Sequence, residues 1–165
     1  TSCYLPLGAM GMRQAIADHF KAHVFYGGLT YNSHPSSLAA AEACIHVLRD
    51  EGMIDNAAQL EPVMREEMQA LQDKHPSVKA FRVIGLFGII DLQRDSAGGR
   101  LAPYGHHSKV GDAFKKRLLE LGLYTYVRWS EFMCIPPLCI TEEELRHAFS
   151  IIDEALELVD EAFEG

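Results

Sequence analysis

The sequence predicts an α/β fold of the α+β kind, a small and mostly antiparallel sheet packed by helices. Three observations predict it. Residues 81–92 form a near-continuous apolar run broken only by Gly85 and Gly88, the pattern of a buried strand pair or one bent strand. Residues 110–121 and the stretch behind Thr141 carry apolar residues at helical spacing. Between those two lie short apolar segments, 123–128 and 132–135, separated by Trp129-Ser130-Glu131. From residue 78 onward the order is therefore strand, helix, strand, strand, helix.

The elements follow from local chemistry. Residues 4–12 are apolar and punctuated by Pro6, Gly8 and Gly11; they could form a short strand, but nothing precedes it to pair with. Residues 12–22 have weak helical periodicity through Ile16, Phe20 and their neighbours. The stretch from Phe25 to Pro35 is rich in turn formers and reads as a loop. Ser36 and Ser37 are candidate N-caps for a helix through Leu38, Ala41, Ile45 and Leu48, which Gly52 stops. Residues 54–73 place Ile54, Ala57, Leu60, Met64, Met68 and Leu71 on one face, and His75-Pro76-Ser77 ends that helix. In the helix at 110–121, Ala113, Phe114, Leu118 and Leu121 point inward and Gly122 is the stop. Pro136-Pro137 terminates the last strand. Thr141-Glu142-Glu143-Glu144 is a capping box, in which the Thr and Glu side chains answer each other's free N–H groups.

Composition excludes several classes. The 165 residues are 48% hydrophobic and 23% charged, ordinary for a globular protein, with a formal charge of −8. An acidic chain whose longest basic cluster is Lys115-Lys116-Arg117, read as a solvated helix face, does not suit a nucleic-acid backbone. No apolar run is long enough to span a membrane, and residues 1–6 do not read as a signal peptide. Cys3, Cys44, Cys134 and Cys139 show no CxxC spacing, which points to thiols in a reducing, cytoplasmic setting. His19 and His23 share a helix face, but no third ligand has a suitable spacing, and no metal is expected.

Four ordered segments carry a family resemblance. They are Thr1-Ser2-Cys3-Tyr4-Leu5-Pro6-Leu7-Gly8-Ala9; Gly28-Leu29-Thr30-Tyr31-Asn32-Ser33-His34-Pro35 leading into an alanine-rich helix; Arg82-Val83-Ile84-Gly85-Leu86; and Val127-Arg128 followed by Pro136-Pro137-Leu138-Cys139-Ile140-Thr141. Together they resemble the C-terminal part of class III (omega-amino-acid) aminotransferases, which are fold type I enzymes dependent on pyridoxal 5'-phosphate. The Val127-Arg128-Trp129 version of the last segment is similar to taurine–pyruvate aminotransferases.

The resemblance implies residues 1–52 as a remnant of the large cofactor-binding domain plus an interdomain helix, and residues 53–165 as the C-terminal small domain. It implies a homodimer acting on a small-molecule amino donor and a 2-oxo acid. Thr30 matches the family threonine that reaches the cofactor phosphate of the other subunit, where a hydroxyl and loop N–H groups supply short, fixed donors. Arg128 matches the arginine that grips the substrate carboxylate through two parallel hydrogen bonds, and its place beside Trp129 would let it swing for different substrates. A surface salt bridge is the plainer reading of Arg128, and a turn residue that of Thr30. Arg82 and the Gly85-Leu86 turn read as structural, and His34 as fixing its loop. Cys3 is assigned no chemistry.

The family's Schiff-base lysine would fall just before Thr1. Lys21, Lys74, Lys79, Lys109, Lys115 and Lys116 do not match it, so the chain is expected to be a fragment of an aminotransferase and inactive alone. The alternative is a stand-alone, non-catalytic domain that keeps the fold for dimerisation or small-molecule binding.

Overall fold

The computed structural model describes residues 4–165; Thr1, Ser2 and Cys3, which open the first of the four segments, lie outside the described residues. The chain divides into two compact units, Thr1–Met53 and Ile54–Gly165.

In the first unit, α1 (Gln14–Ala22) and α2 (Pro35–Asp50) flank the loop that carries Thr30. Ala41 is the one fully buried hydrophobic residue described there, and Tyr4, Met10, Phe25, Leu29 and Tyr31 are exposed. Residues 4–12 form no strand: as the sequence suggested, no ladder partner exists among the described residues, and Pro6 with two glycines disfavours extended pairing. Nor do Ser36 and Ser37 cap α2. The helix begins at Pro35 behind His34, because proline's fixed φ and missing N–H suit the first helical position.

The second unit holds the core. After α3 (Met53–Lys74), a hairpin of β1 (Val78–Ile84) and β2 (Phe87–Leu92) settles the ambiguity of residues 81–92 in favour of two strands. Gly85 takes φ +53 at the turn, a region open to glycine, and its N–H donates to Glu61 Oε2 of α3 at 2.6 Å. That backbone hydrogen bond, with help from Arg65, holds the Glu61 carboxyl below the usual range. Arg82 pairs across the hairpin with Asp91 at 3.2 Å, a structural role as expected. The helix α4 (Lys109–Glu120) then leads to a second hairpin, β3 (Val127–Arg128) and β4 (Glu131–Cys134), and α5 (Glu142–Glu161) closes the chain.

The sheet is antiparallel throughout, in the order β1-β2-β4-β3. β3 is shorter than the expected 123–128: residues before Val127 leave the ladder, and Thr125 reaches β4 through its hydroxyl, which donates to the Met133 carbonyl. Strand alternation sends Ile90, Leu92, Phe132 and Cys134 into one cluster with Leu60, Met64 and Met68 of α3, Phe114 and Leu118 of α4, and Leu145, Phe149, Ile152 and Leu156 of α5. Burial pushes the Cys134 thiol up to about 12, so it behaves as a small core hydrophobe.

The closest approach in this core is at Gly88. A Cβ there would lie 2.5 Å from Met64 Cε and 2.9 Å from Met68 Cε, and both methionines are fully buried. Gly88→Ala is accordingly expected to cost about 1–2 kcal/mol through overpacking, seen as a lower urea midpoint with an unchanged m-value.

Candidate active site

Arg128 ends β3, one residue before a two-residue hairpin loop made by Trp129 and Ser130. Trp129 has φ +56 at the first loop position, where glycine is the usual occupant. A side chain held in this region costs about 1–3 kcal/mol, so the surroundings must enforce it. They include a buried Ser130, whose hydroxyl lies 3.4 Å from both the N–H and the carbonyl oxygen of Ala102, and the Tyr104 ring, whose centroid is 4.1 Å from that of Trp129.

The turn delivers Arg128 into an aromatic setting. Its Cζ stands 4.1 Å from the centroid of the Trp129 ring, and its Nη1 donates to the Tyr126 hydroxyl at 2.9 Å. No carboxylate lies within ion-pair distance of Arg128 among the described residues, whereas nearby Arg100 and Arg117 face Glu131 and Glu154. The salt-bridge reading of Arg128 therefore fails.

Arg128 lines a pocket of about 310 Å³ with Val127, Trp129, the His106-His107 loop and the first turns of α4. Ser108 caps α4 by accepting from the Gly111 N–H at 3.2 Å, leaving the positive helix end turned to this pocket. Lys115, expected on a solvated face, lines it too, while its neighbours Lys116 and Arg117 are paired with Glu120 and Glu154. Asp112 is the one acidic wall residue. A guanidinium held by its neighbours, an exposed ammonium, a helix N-terminus and an indole suit a planar anion on a short apolar stem.

Thr30 lies in the first unit, on an exposed turn in which the Asn32 N–H donates to the Leu29 carbonyl at 2.9 Å. Its hydroxyl makes no hydrogen bond among the described residues. Ser33 has φ +58, and His34 hands over to α2 with its backbone carbonyl accepting from Leu38 N–H, while its side chain makes no capping hydrogen bond. Neighbours of Thr30 (Leu29, Tyr31, Asn32 and Ser33) line a hollow of about 630 Å³ with Leu5, Pro6 and Leu7. Thr30 itself is not among the residues lining that hollow, and the start of α2 has no side-chain cap. His19 and His23 stack with centroids 4.1 Å apart, and no group of three metal-capable side chains occurs among the described residues.

The sequence alone marks Thr30 and Arg128 as candidates and does not mark Tyr126, Tyr104 or Lys115, which stand around Arg128. Alternation along residues 124–128, which places Tyr126 and Arg128 on one side of the strand, is the signal that could have found Tyr126.

A four-stranded antiparallel sheet packed by three helices, with an unpaired arginine at the tip of its second hairpin, is the architecture of the C-terminal portion of a fold type I transferase. The chain belongs to the class III aminotransferases, whose family model matches residues 1–156. It is 27% identical over 166 residues to a probable gamma-aminobutyrate transaminase 4 of Oryza sativa subsp. japonica, covering 98% of this chain and 34% of that protein. A putrescine–pyruvate aminotransferase of Pseudomonas aeruginosa is 27% identical over 160 residues, with 95% and 34% covered. Among solved structures, a taurine:2-oxoglutarate aminotransferase from Bifidobacterium kashiwanohense, in complex with PLP and glutamate, superposes with a TM-score of 0.82 at 29% identity. That match covers 90% of this chain and 33% of the other. The chain spans about a third of the length of these relatives. Pyridoxal phosphate is the cofactor that the family and this complex indicate.

Proposed function

We propose that the protein moves an amino group between an amine or omega-amino acid and a 2-oxo acid, as a pyridoxal-phosphate-dependent homodimer in a reducing, cytoplasmic setting. Arg128 grips the substrate carboxylate, and Thr30 donates its hydroxyl to the phosphate of the cofactor in the partner subunit. The observation that carries this reading is Arg128 itself, a guanidinium without a carboxylate partner at the wall of a 310 Å³ pocket. Bound pyridoxal phosphate would supply the electron sink that amino transfer needs. What the residues of this chain contribute is position: an in-plane fork for the acid group, an indole and Val127 for its stem, and a hydroxyl for the phosphate.

The amine-bearing lysine of the reaction is not among the six here in this reading, which makes the 165 residues inactive by themselves. Lys21, Lys74 and Lys116 are held by carboxylates, Lys79 donates to the Gly98 carbonyl, and Lys109 and Lys115 lie exposed on α4. The free thiols of Cys134 and Cys139 support the reducing setting.

Turnover tests the reading. The full-length protein with added pyridoxal phosphate should convert a 2-oxo acid to its amino acid only when an amino donor is present. Absence of donor-dependent conversion across amines, omega-amino acids and aminosulfonates would overturn it. Thr30→Val should weaken cofactor retention about tenfold, the loss of one good hydrogen bond to a charged group, read by titrating the apoprotein with pyridoxal phosphate. An unchanged affinity would remove Thr30 from the phosphate site.

A further inference from the structure

Three features of β3 and its turn remain unexplained by folding alone. The Arg128 guanidinium is fixed on two sides, by the Tyr126 hydroxyl at 2.9 Å and by the Trp129 ring at 4.1 Å. Trp129 is itself backed by Tyr104. And the ring that does the stacking is carried at φ +56, where its own backbone would favour glycine. Stacking against an aromatic face leaves the edges of a guanidinium free, since its N–H groups lie in the plane of the group. Tyr126 uses one of them.

We propose that Tyr126 and Trp129 are positioning residues for acid substrates: they hold the plane of Arg128 at the pocket wall with its remaining N–H groups open to a carboxylate. This rests on the reading of Arg128 as the carboxylate grip. The ordering of a long, rotamer-rich side chain is done before substrate arrives, so less is lost when the two hydrogen bonds form. Donors lacking a carboxylate gain nothing from the arrangement, which makes Tyr126 and Trp129 determinants of the preference for acids over simple amines.

The experiment is steady-state kinetics of the full-length protein with an omega-amino acid and the alkylamine of equal chain length. Trp129→Leu should raise KM for the acid about tenfold and that for the alkylamine, whose stem meets the same wall, no more than about twofold, so that the acid-to-alkylamine KM ratio rises about fivefold. Trp129→Phe, which keeps a stacking face, should recover most of the loss. Tyr126→Phe, at a half-exposed tyrosine, should raise the acid KM about threefold and carries the test if Trp129→Leu does not fold. A second readout is the Trp129 contribution to fluorescence, taken as wild type minus Trp129→Phe, which should change saturably with an unreactive carboxylate and not with an alkylammonium ion. An acid-to-alkylamine KM ratio unaltered in every folded variant overturns the proposal. If Arg128→Met leaves that ratio unaltered as well, the grip itself is wrong. If Arg128→Met collapses the ratio while the Tyr126 and Trp129 variants keep it, only the positioning role falls.

Discussion

Replacing Arg128 by methionine in the full-length protein should lower kcat/KM for carboxylate-bearing substrates about a hundredfold, with carboxylate-free amines within about twofold. A hundredfold corresponds to about 2.7 kcal/mol, within the range for a bidentate, charge-assisted pair. Methionine keeps the length and apolar stem that cover the pocket wall, so the difference reports the fork. The structure supports a clean result, because Arg128 pairs with no carboxylate and its removal leaves no buried charge behind. Tyr126 loses a hydrogen bond but is exposed and turns to water. Arg128→Lys should recover only part of the activity, since an ammonium keeps the charge but not the two parallel donors. Donor half-reactions of the cofactor-loaded protein, run for both donor types without the 2-oxo acid, check this, because the acceptor carries a carboxylate of its own. Equal losses for acids and amines would mean that the substitution disturbs the hairpin, not a carboxylate contact.

How much of this was legible beforehand depends on how local each cause is. The capping box of α5 was readable because all its parts lie within four residues, and both contacts form: Glu144 N–H donates to Thr141 Oγ1 at 3.2 Å, and Thr141 N–H to Glu144 Oε2 at 2.9 Å. The two-strand reading of residues 81–92 needed more, because the turn is held by Glu61, a residue 24 positions away on α3. Ser36 and Ser37 misled for the opposite reason: good cap formers lost to a proline one residue earlier, whose geometry already matches a helix start. Thr30 and Arg128 were found by resemblance, since nothing in composition or periodicity marks either. The partners of Arg128 were illegible because they depend on a positive φ at Trp129 and on Tyr104 arriving from a loop 25 residues away. The character of Lys115 was likewise hidden: its helix face reads as solvated until the 104–107 loop raises a pocket wall beside it.

The largest stability effect is expected far from the pocket, at His75. Its side chain is 1% exposed, yet both ring nitrogens face carboxylates: Nδ1 is 2.6 Å from Asp160 Oδ2 and Nε2 is 2.9 Å from Asp153 Oδ1. Both contacts are at hydrogen-bond distance, so α5 grips the ring from two sides. Ser77 adds its hydroxyl to Asp160 at 2.5 Å, and Lys74 its ammonium to Asp153 at 2.5 Å. The end of α3, the entry to β1 and two turns of α5 are thereby joined at one point. His75→Leu removes the shared hydrogen-bond partner and leaves two part-buried carboxylates facing an apolar side chain. Losing the partner of a buried polar group costs about 1–3 kcal/mol, and more for a charged one. Asp153 and Asp160 keep 35% and 24% of their side-chain surface, so about 3 kcal/mol for the two together is expected. Urea unfolding measures it, and a loss below about 0.5 kcal/mol would show that the junction is held by the surrounding core instead. The acid side of the pH profile has a definite sign. Burial works against the charge on Asp153, but hydrogen bonds from Lys74 and His75 outweigh it and hold its carboxyl below the usual range. A depressed folded value gives stability that is complete above the ordinary carboxylate range and is lost as pH falls through the folded value. The stability gap between the wild type and Asp153→Asn should therefore be constant near neutrality and close below about pH 4. A gap that persists undiminished at about pH 2 would place the contribution of Asp153 in packing, with no part for its charge.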